Sequence, residues 1–347
     1  MRKLLFFLSL SFCTSISAQD IHLSQFYNAD HLLNPSKIGD YDGDYRVSMN
    51  YRNQWRQLNK QPISTYVLSF DHLFYIKNHE FDAGIVATSD RFSGSEYNLI
   101  TQSNIQYTVN STKIMLGLGT RFNWKSNHFR VGIQSGLVSA SSDPTTQTFP
   151  NQWDKSNGDF NKGIPNNESL LRPSQKYIDL NVGSQWDKKL GKSTLKVGLA
   201  INHINRPKDS YFKNNKERLR ARKVIVAELF YPLNPTLSIL PKICFMWTTM
   251  NNDMVLGGNL KKKTSSVKIP SIYGGLFYRH GVSRIFDAII PGAGFQYKKF
   301  DIGLSYDVNL SSLSSGVSKR KGTFEMSVIY TGASTMPKKV FLPCDRY

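Results

Sequence analysis

Phe300-Asp301-Ile302-Gly303-Leu304-Ser305-Tyr306-Asp307-Val308-Asn309-Leu310 alternates without a break. Phe300, Ile302, Leu304, Tyr306, Val308 and Leu310 are apolar or aromatic, and the residues between them are polar or small. A strand sends successive side chains to opposite faces, so this stretch has one apolar side and one wet side; a helix would mix the two sets.

The same split recurs outward from this stretch. Tyr97, Leu99, Thr101, Ser103, Ile105, Tyr107 and Val109 oppose Asn98, Gln102, Asn104, Gln106 and Thr108. Ile114, Leu116, Leu118, Phe122 and Trp124 oppose Gly117, Gly119, Arg121 and Asn123. Further candidates are 45–55, 66–76, 81–88, 129–138, 178–186, 195–201, 224–231, 237–247, 254–260, 272–278, 289–297 and 324–330, which brings the set to fifteen. Alternating segments of about ten residues repeated along a chain are the mark of a transmembrane barrel.

A soluble sandwich also alternates, so the choice rests on other features. Aromatics sit near segment ends (Phe122, Trp124, Trp186, Tyr231, Trp247, Tyr278, Tyr297, Tyr330), where an interfacial girdle needs them. The opposite faces are rich in Gly, Ser, Asn and Gln, as suits a lumen, and a mean hydropathy of −0.37 agrees with polar lumen and loops. The reading is an all-β, antiparallel outer-membrane β-barrel.

Arg2 and Lys3, the apolar run 4–16 and Ser17-Ala18 before Gln19 read as a secretory signal peptide, residues 1–18. Beyond it no run approaches the ~20 apolar residues of a membrane helix. Cys244 and Cys344 are too few for a disulfide framework, though the two thiols could pair in an oxidising compartment. A formal net charge of +19 calls for an anionic partner. Export argues against nucleic acid, and at an outer membrane the local anions are lipopolysaccharide and other outer-membrane lipid.

Loop lengths orient the barrel, because short turns face the periplasm and long loops face outward. The long connections 140–175, 205–222 and 311–322 follow candidates six, eight and fourteen, an even-to-odd step each time. Either one early segment is not a wall strand or one strand has been divided in two; dropping 45–55, which nonetheless alternates as an ordinary first strand would, restores parity and leaves about fourteen strands. The expected organisation is therefore 19–56 as an N-terminal segment that plugs the lumen or docks a partner, 57–332 as the barrel, and 333–347 as a tail.

No nucleophile and base arrangement, metal spacing or phosphate loop stands out. The seven histidines are scattered, and Ser93-Gly94-Ser95 and Gly292-Ala293-Gly294 lack the strand and helix context of a nucleotide loop. The expectation is a protein that is not an enzyme and uses no cofactor or metal. Arg206, Lys208, Arg218, Arg220 and Arg222 head a basic run read either as a solvated loop or as a contact for lipopolysaccharide or an acidic partner. Lys261, Lys262, Lys263 and Lys268 form a second cluster, on the periplasmic side by the same parity.

Several stretches together resemble the PorP/SprF family of type IX secretion system membrane proteins of Bacteroidetes. Gln19-Asp20, Ser24-Gln25-Phe26-Tyr27, Leu33-Asn34-Pro35 with Gly39, and Asn50-Tyr51-Arg52-Asn53-Gln54-Trp55 are similar to its N-terminal landmarks. Gly294-Phe295-Gln296-Tyr297, the stretch from Phe300 to Asp307, Leu310-Ser311-Ser312-Leu313 and Pro343-Cys344 are similar to its C-terminal half and tail. Ser36-Lys37-Ile38 departs from the small residues usual after the Asn-Pro, and 140–175 follows no family pattern. The resemblance implies an outer-membrane component of secretion or gliding motility that works with type IX secretion components or holds a secreted adhesin-type protein at the surface. Asn34, Pro35, Asn53, Gln54 and Trp55 are the candidate partner contacts. The rival reading, from another class, is a diffusion porin or a transporter of hydrophobic solutes.

Overall fold

The computed structural model describes residues 21–54, 62–77, 79–98, 103–142, 150–161, 163–165, 174–209, 218–249, 251–281, 284–310 and 322–332. Among them fourteen antiparallel strands close into a barrel. In chain order the first five are β1 (Tyr45–Gln54), β2 (Ile63–Ile76), β3 (His79–Asn98), β4 (Ser103–Trp124) and β5 (Asn127–Ser142). A small hairpin, β6 (Trp153–Asp154) with β7 (Asp159–Phe160), forms a separate sheet. The barrel continues with β8 (Ser174–Leu190), β9 (Ser193–Asn202), β10 (Arg222–Pro232), β11 (Leu237–Trp247), β12 (Asn252–Lys263), β13 (Ser271–Gly281), β14 (Arg284–Tyr297), β15 (Phe300–Asn309) and β16 (Thr323–Gly332). β1 pairs with β16 from Tyr45↔Gly332 to Asn53↔Phe324, which closes the cylinder.

The alternation in the sequence is the alternation in space. Leu116, Leu118, Ile133, Leu137, Ile178, Leu276 and Leu304 are exposed on the outer face, as lipid-facing residues must be. Their neighbours Met115, Gln134, Asp179, Phe277 and Ser305 are buried. Closure satisfies every strand edge without water, the condition for backbone inside a bilayer. No helix among the described residues is long and apolar enough to cross a membrane.

Two expectations are corrected. The segment 45–55 belongs to the wall: β1 turns Arg46, Ser48, Asn50 and Arg52 inward, where they are buried, and alternates them with Tyr45, Val47, Met49 and Tyr51. The barrel therefore begins at Tyr45, not after residue 56. The superfluous strand was 97–109, whose described residues fall at the end of β3 and the start of β4, paired as far as Asn98↔Ser103. Asn110-Ser111-Thr112-Lys113 reads as a break but runs in register against Arg91, Asp90, Ser89 and Thr88. At 22 residues, β4 is about twice the length needed to span the bilayer, so its outer part is free to be polar without ending the strand. With this change the three long connections follow the fifth, seventh and thirteenth barrel strands, all on one side.

Residues 21–44 lie inside the cylinder as three 3-10 turns, Phe26–Asn28, Asp30–Leu32 and Pro35–Lys37, with extended links between them. Backbone bonds from Asp44 N to Gly332 O (3.2 Å) and from Leu73 N to Asp44 O (2.8 Å) tie this segment to the periplasmic rim, where it turns up into β1.

Candidate functional site in the barrel lumen

The lumenal segment is held at three levels. Nearest the outer end, Arg52 Nη1 donates to Glu325 Oε2 (2.9 Å) and Ser24 Oγ (2.5 Å), and Arg52 Nη2 to Asp307 Oδ2 (3.2 Å). The backbone amides of Ser24 and Gln25 donate to the two oxygens of the same Glu325 carboxylate, each at 2.8 Å. Arg279 joins Asp307 (2.8 Å) to Asp287 (2.9 Å). Charges taken this far from water are tolerable only when paired and hydrogen-bonded, as these are.

At the middle level Asn34 caps the Pro35–Lys37 turn, its Oδ1 accepting from Ser36 N (3.0 Å) and Ser36 Oγ (2.7 Å), with Pro35 in the first turn position that favours proline. Asn34 Nδ2 donates to Ser184 O in β8 (3.0 Å). The wall beneath is a cross-strand row of small residues, Gly119, Gly132, Gly183 and Ala200, in successive register on β4, β5, β8 and β9. A Cβ on Gly183 would overlap Asn34 Oδ1, and one on Gly132 would overlap the Pro35 carbonyl. The Asn-Pro turn and the glycine row therefore fit each other.

Toward the periplasm the segment is ionic again. Lys37 Nζ pairs with Glu228 (2.8 Å) and Asp40 (3.3 Å), and Asp40 pairs with Lys196 (2.6 Å). Arg46 grips Asp71 through two bonds (3.0 and 2.9 Å), and Gly39 N donates to the same carboxylate (2.9 Å). Gly39 has φ +77°, and any side chain there would strike the Asp82 carboxylate. Burial pushes the Asp40 carboxyl up, but Lys196, Lys37 and Arg130 outweigh it and hold the group well below the usual carboxylate range. Burial opposes the charge on Lys37, and Glu228 and Asp40 more than restore it, so its ammonium is held above the usual lysine range.

A second face of the segment is apolar. Phe26 and Leu33, with Tyr27 beside them, pack on the inward side chains of Ala200, Val224, Val226, Cys244, Met246, Val255, Phe277, Ala288 and Ile290 from β9 to β14. Tyr27 stacks on Phe277 with ring centroids 5.3 Å apart, and Lys242 Nζ lies 4.1 Å from the Tyr27 ring centroid. On the lumen side a cavity of about 30 Å³ touches Ile21, Leu32, Asp179 and Arg222.

The residues singled out from the sequence are not one patch. Asn34 and Pro35 are buried mid-lumen against the chain's own wall. Asn53 and Gln54 end β1 at the outer rim, where Asn53 Nδ2 donates to the Tyr51 hydroxyl (2.8 Å), and Trp55 lies outside the described residues. Arg206, Lys208 and Arg218 are exposed on the outer side, Lys208 and Arg218 forming a two-residue bridge, with Arg220 half-buried beside Thr249. Arg222 separates from them: it is buried at the start of β10 and donates to the Leu32 carbonyl (3.4 Å). Cys244 is buried in the apolar sector and Cys344 lies outside the described residues. No group of three or more His, Cys, Asp or Glu among the described residues is placed to hold a metal ion. Sequence reasoning missed Arg52, Arg279, Asp307 and Glu325, whose signal was a charge at an inward position of an otherwise alternating strand.

The family model described as type IX secretion system membrane protein PorP/SprF matches residues 15–330, and so takes in the lumenal segment and the barrel from β1 as far as Tyr330 in β16. The chain belongs to the PorP/SprF family. As a PorP/SprF protein with an outer-membrane barrel fold it is placed in the outer membrane. No curated protein matches the sequence. Among solved structures, this PorP/SprF barrel is similar to the toluene transporter TbuX of Ralstonia pickettii at 9% identity and TM-score 0.51, over 88% of this chain and 94% of that one. It is similar to the deltaS2S3 mutant of the monoaromatic hydrocarbon channel TodX at 9% identity and TM-score 0.51, over 87% and 93%. At such identity the likeness shows the barrel fold alone.

Proposed function

We propose that this PorP/SprF barrel is a non-enzymatic component of the type IX secretion or gliding machinery that helps export a secreted protein, such as an adhesin, or holds it at the surface. The observation that carries this reading is the occupied lumen. A barrel whose interior is filled by its own residues 21–44, tied to the wall at three levels, has its free surface at the two rims and on the outer loops. That favours contact with a macromolecule over passage of small solutes, and weighs against a diffusion porin, which needs an open aqueous channel. Export or retention is then a matter of what the outer rim binds, and Asn53, Gln54 and the exposed Arg206, Lys208 and Arg218 are the side chains there with contact chemistry.

The test is a crosslinking pulldown from the native membrane. The wild-type chain is compared with one carrying Arg206→Ser, Lys208→Ser and Arg218→Ser, and with one carrying Asn53→Ala and Gln54→Ala. Loss of a secreted or machinery protein while the barrel stays inserted supports the reading; an unchanged set of partners in both variants sinks it.

The apolar sector of β9 to β14 favours a second reading, transport of a hydrophobic solute, since Phe26 and Leu33 fill a surface that an apolar ligand would otherwise meet. Uptake of a radiolabelled aromatic hydrocarbon by vesicles containing the barrel, at a rate above that of empty vesicles, would favour it.

A further inference from the structure

The outer wall carries one feature that the lumen and the loops do not use. Over β13, β14 and β15 a groove of about 470 Å³ is lined almost wholly by apolar atoms of Ile272, Ala293, Phe295, Ile302 and Leu304, with Ile269 closing one end. Its floor follows from register. Gly274 pairs with Ala293, and Ala293 with Leu304, while the next lipid-facing row, Ile272, Phe295 and Ile302, is large. A Cβ on Gly274 would meet nothing nearer than the Gly292 carbonyl at 3.9 Å, so the dent is open space and not a consequence of crowding.

The periplasmic end of this groove is cationic. Ile269 follows Lys268, and the strands that bear Phe295 and Ile302 are joined through Lys298-Lys299. Lys298 N donates to the Lys268 carbonyl (2.8 Å), which holds the two turns together. All three lysines are exposed, and among the described residues none is paired with a carboxylate. The nearest acidic residue in sequence, Asp301, points the other way and accepts from the lumenal Tyr273 hydroxyl (2.7 Å).

We propose that this groove binds an anionic phospholipid of the periplasmic leaflet, with an acyl chain along Ala293 and the phosphate held by Lys268, Lys298 and Lys299. The two halves of the site match the two halves of that ligand: apolar groove within the bilayer, unpaired ammonium groups at the headgroup level. An uncharged lipid would fill the groove and leave the lysines unused.

The test uses the full chain reconstituted in phosphatidylcholine vesicles, with spin-labelled phosphatidylglycerol or spin-labelled phosphatidylcholine of the same chain length as the probe. The expected result is a motionally restricted population that prefers phosphatidylglycerol, with the preference falling by about fivefold for each lysine removed in the series Lys268→Gln, Lys298→Gln, Lys299→Gln. Ala293→Phe, which fills the groove from the lipid side and leaves the lumen untouched, should reduce the restricted population of both probes. Heat-modifiable gel migration checks that each variant is folded. Equal restriction of the two probes by the wild type would overturn the proposal. So would an equal loss of preference in Lys77→Gln, Lys125→Gln, since those exposed lysines sit on other turns of the same rim and would make the effect one of general charge.

Discussion

The lumenal segment meets two kinds of wall. On β9 to β14 Phe26 and Leu33 meet Val224, Val226, Met246, Val255, Phe277 and Ile290, and only nearer the periplasm do Asp40 and Lys37 find charged partners there, Lys196 and Glu228. On β1, β2, β15 and β16 it meets Arg46, Arg52, Asp71, Asp307 and Glu325, and its contribution is polar: backbone amides, the Ser24 hydroxyl and the Gln25 and His31 side chains. The apolar side holds without regard to direction and grows with buried area. The ionic side adds geometry, because each carboxylate accepts only from donors that reach it, and breaking one partner leaves a buried charge uncompensated. One wall supplies adhesion and the other fixes register.

That contrast can be broken most forcefully at Arg52. Arg52→Ala leaves Glu325 without its cation and Asp307 with Arg279 alone, and should destabilise the folded barrel by about 3–5 kcal/mol. Guanidinium unfolding in detergent measures it, and a midpoint equal to wild type would mean that the ionic side does not hold the segment. On the apolar side Phe26→Ala should cost about 3 kcal/mol, through lost burial and the cavity left against Phe277. It should expose residues 21–44 to added protease before the strands themselves unfold.

Acid sharpens the comparison by acting on the ionic contacts and not on the apolar ones, and it reaches Asp40 with Lys196 of β9 as well as the first and last strands. The Asp40 carboxyl is depressed in the folded state, so the stability it confers is complete above its unfolded value near pH 4 and is lost as pH falls toward the lower folded value. Protease access to the segment should therefore rise below about pH 4. Asp40→Asn should weaken this pH dependence, and a profile unchanged by that substitution would assign the acid effect elsewhere. The smallest effect is at the turn: Asn34→Ala removes the cap and the bond to Ser184 and should cost about 1 kcal/mol, with Asn34→Asp restoring the cap but not the bond.

The strands were legible because a period of two is one that no helix produces, and the barrel because aromatics at segment ends and polar, glycine-rich opposite faces suit lipid outside and a lumen within. The stretch from Phe300 to Leu310 shows the wall's inside and outside residue by residue. The number of strands came out at fourteen through two errors that cancel, omission of β1 and division of the β3 and β4 hairpin. Parity misled in the first case, since removing any one early segment puts the long loops on one side, and β1 was removed although Arg46 and Arg52 have Asp71 and Glu325 as lumenal partners. In the second, polar residues beyond the bilayer were read as a turn. The lumenal anchors were hidden for a different reason: Ser24 and Glu325 are 301 residues apart, and only ring closure brings the first strand beside the last. Arg222 shows the limit of reading by composition, because it continues a run of basic residues yet its side chain faces the lumen, unlike the exposed Arg218.

The position of Glu325 bears on how the molecule is put together. Its carboxylate belongs to the final strand of the chain and is the shared acceptor for the first strand, through Arg52, and for the segment that precedes the first strand, through Ser24 and Gln25. Whatever order the hairpins enter the membrane in, these three partners are assembled only when the last edge zips to the first. Until then the amides of Ser24 and Gln25 have water in place of that carboxylate. The outermost of the three tethers is thus a latch thrown from within, and it can be thrown only once the first and last barrel strands have met.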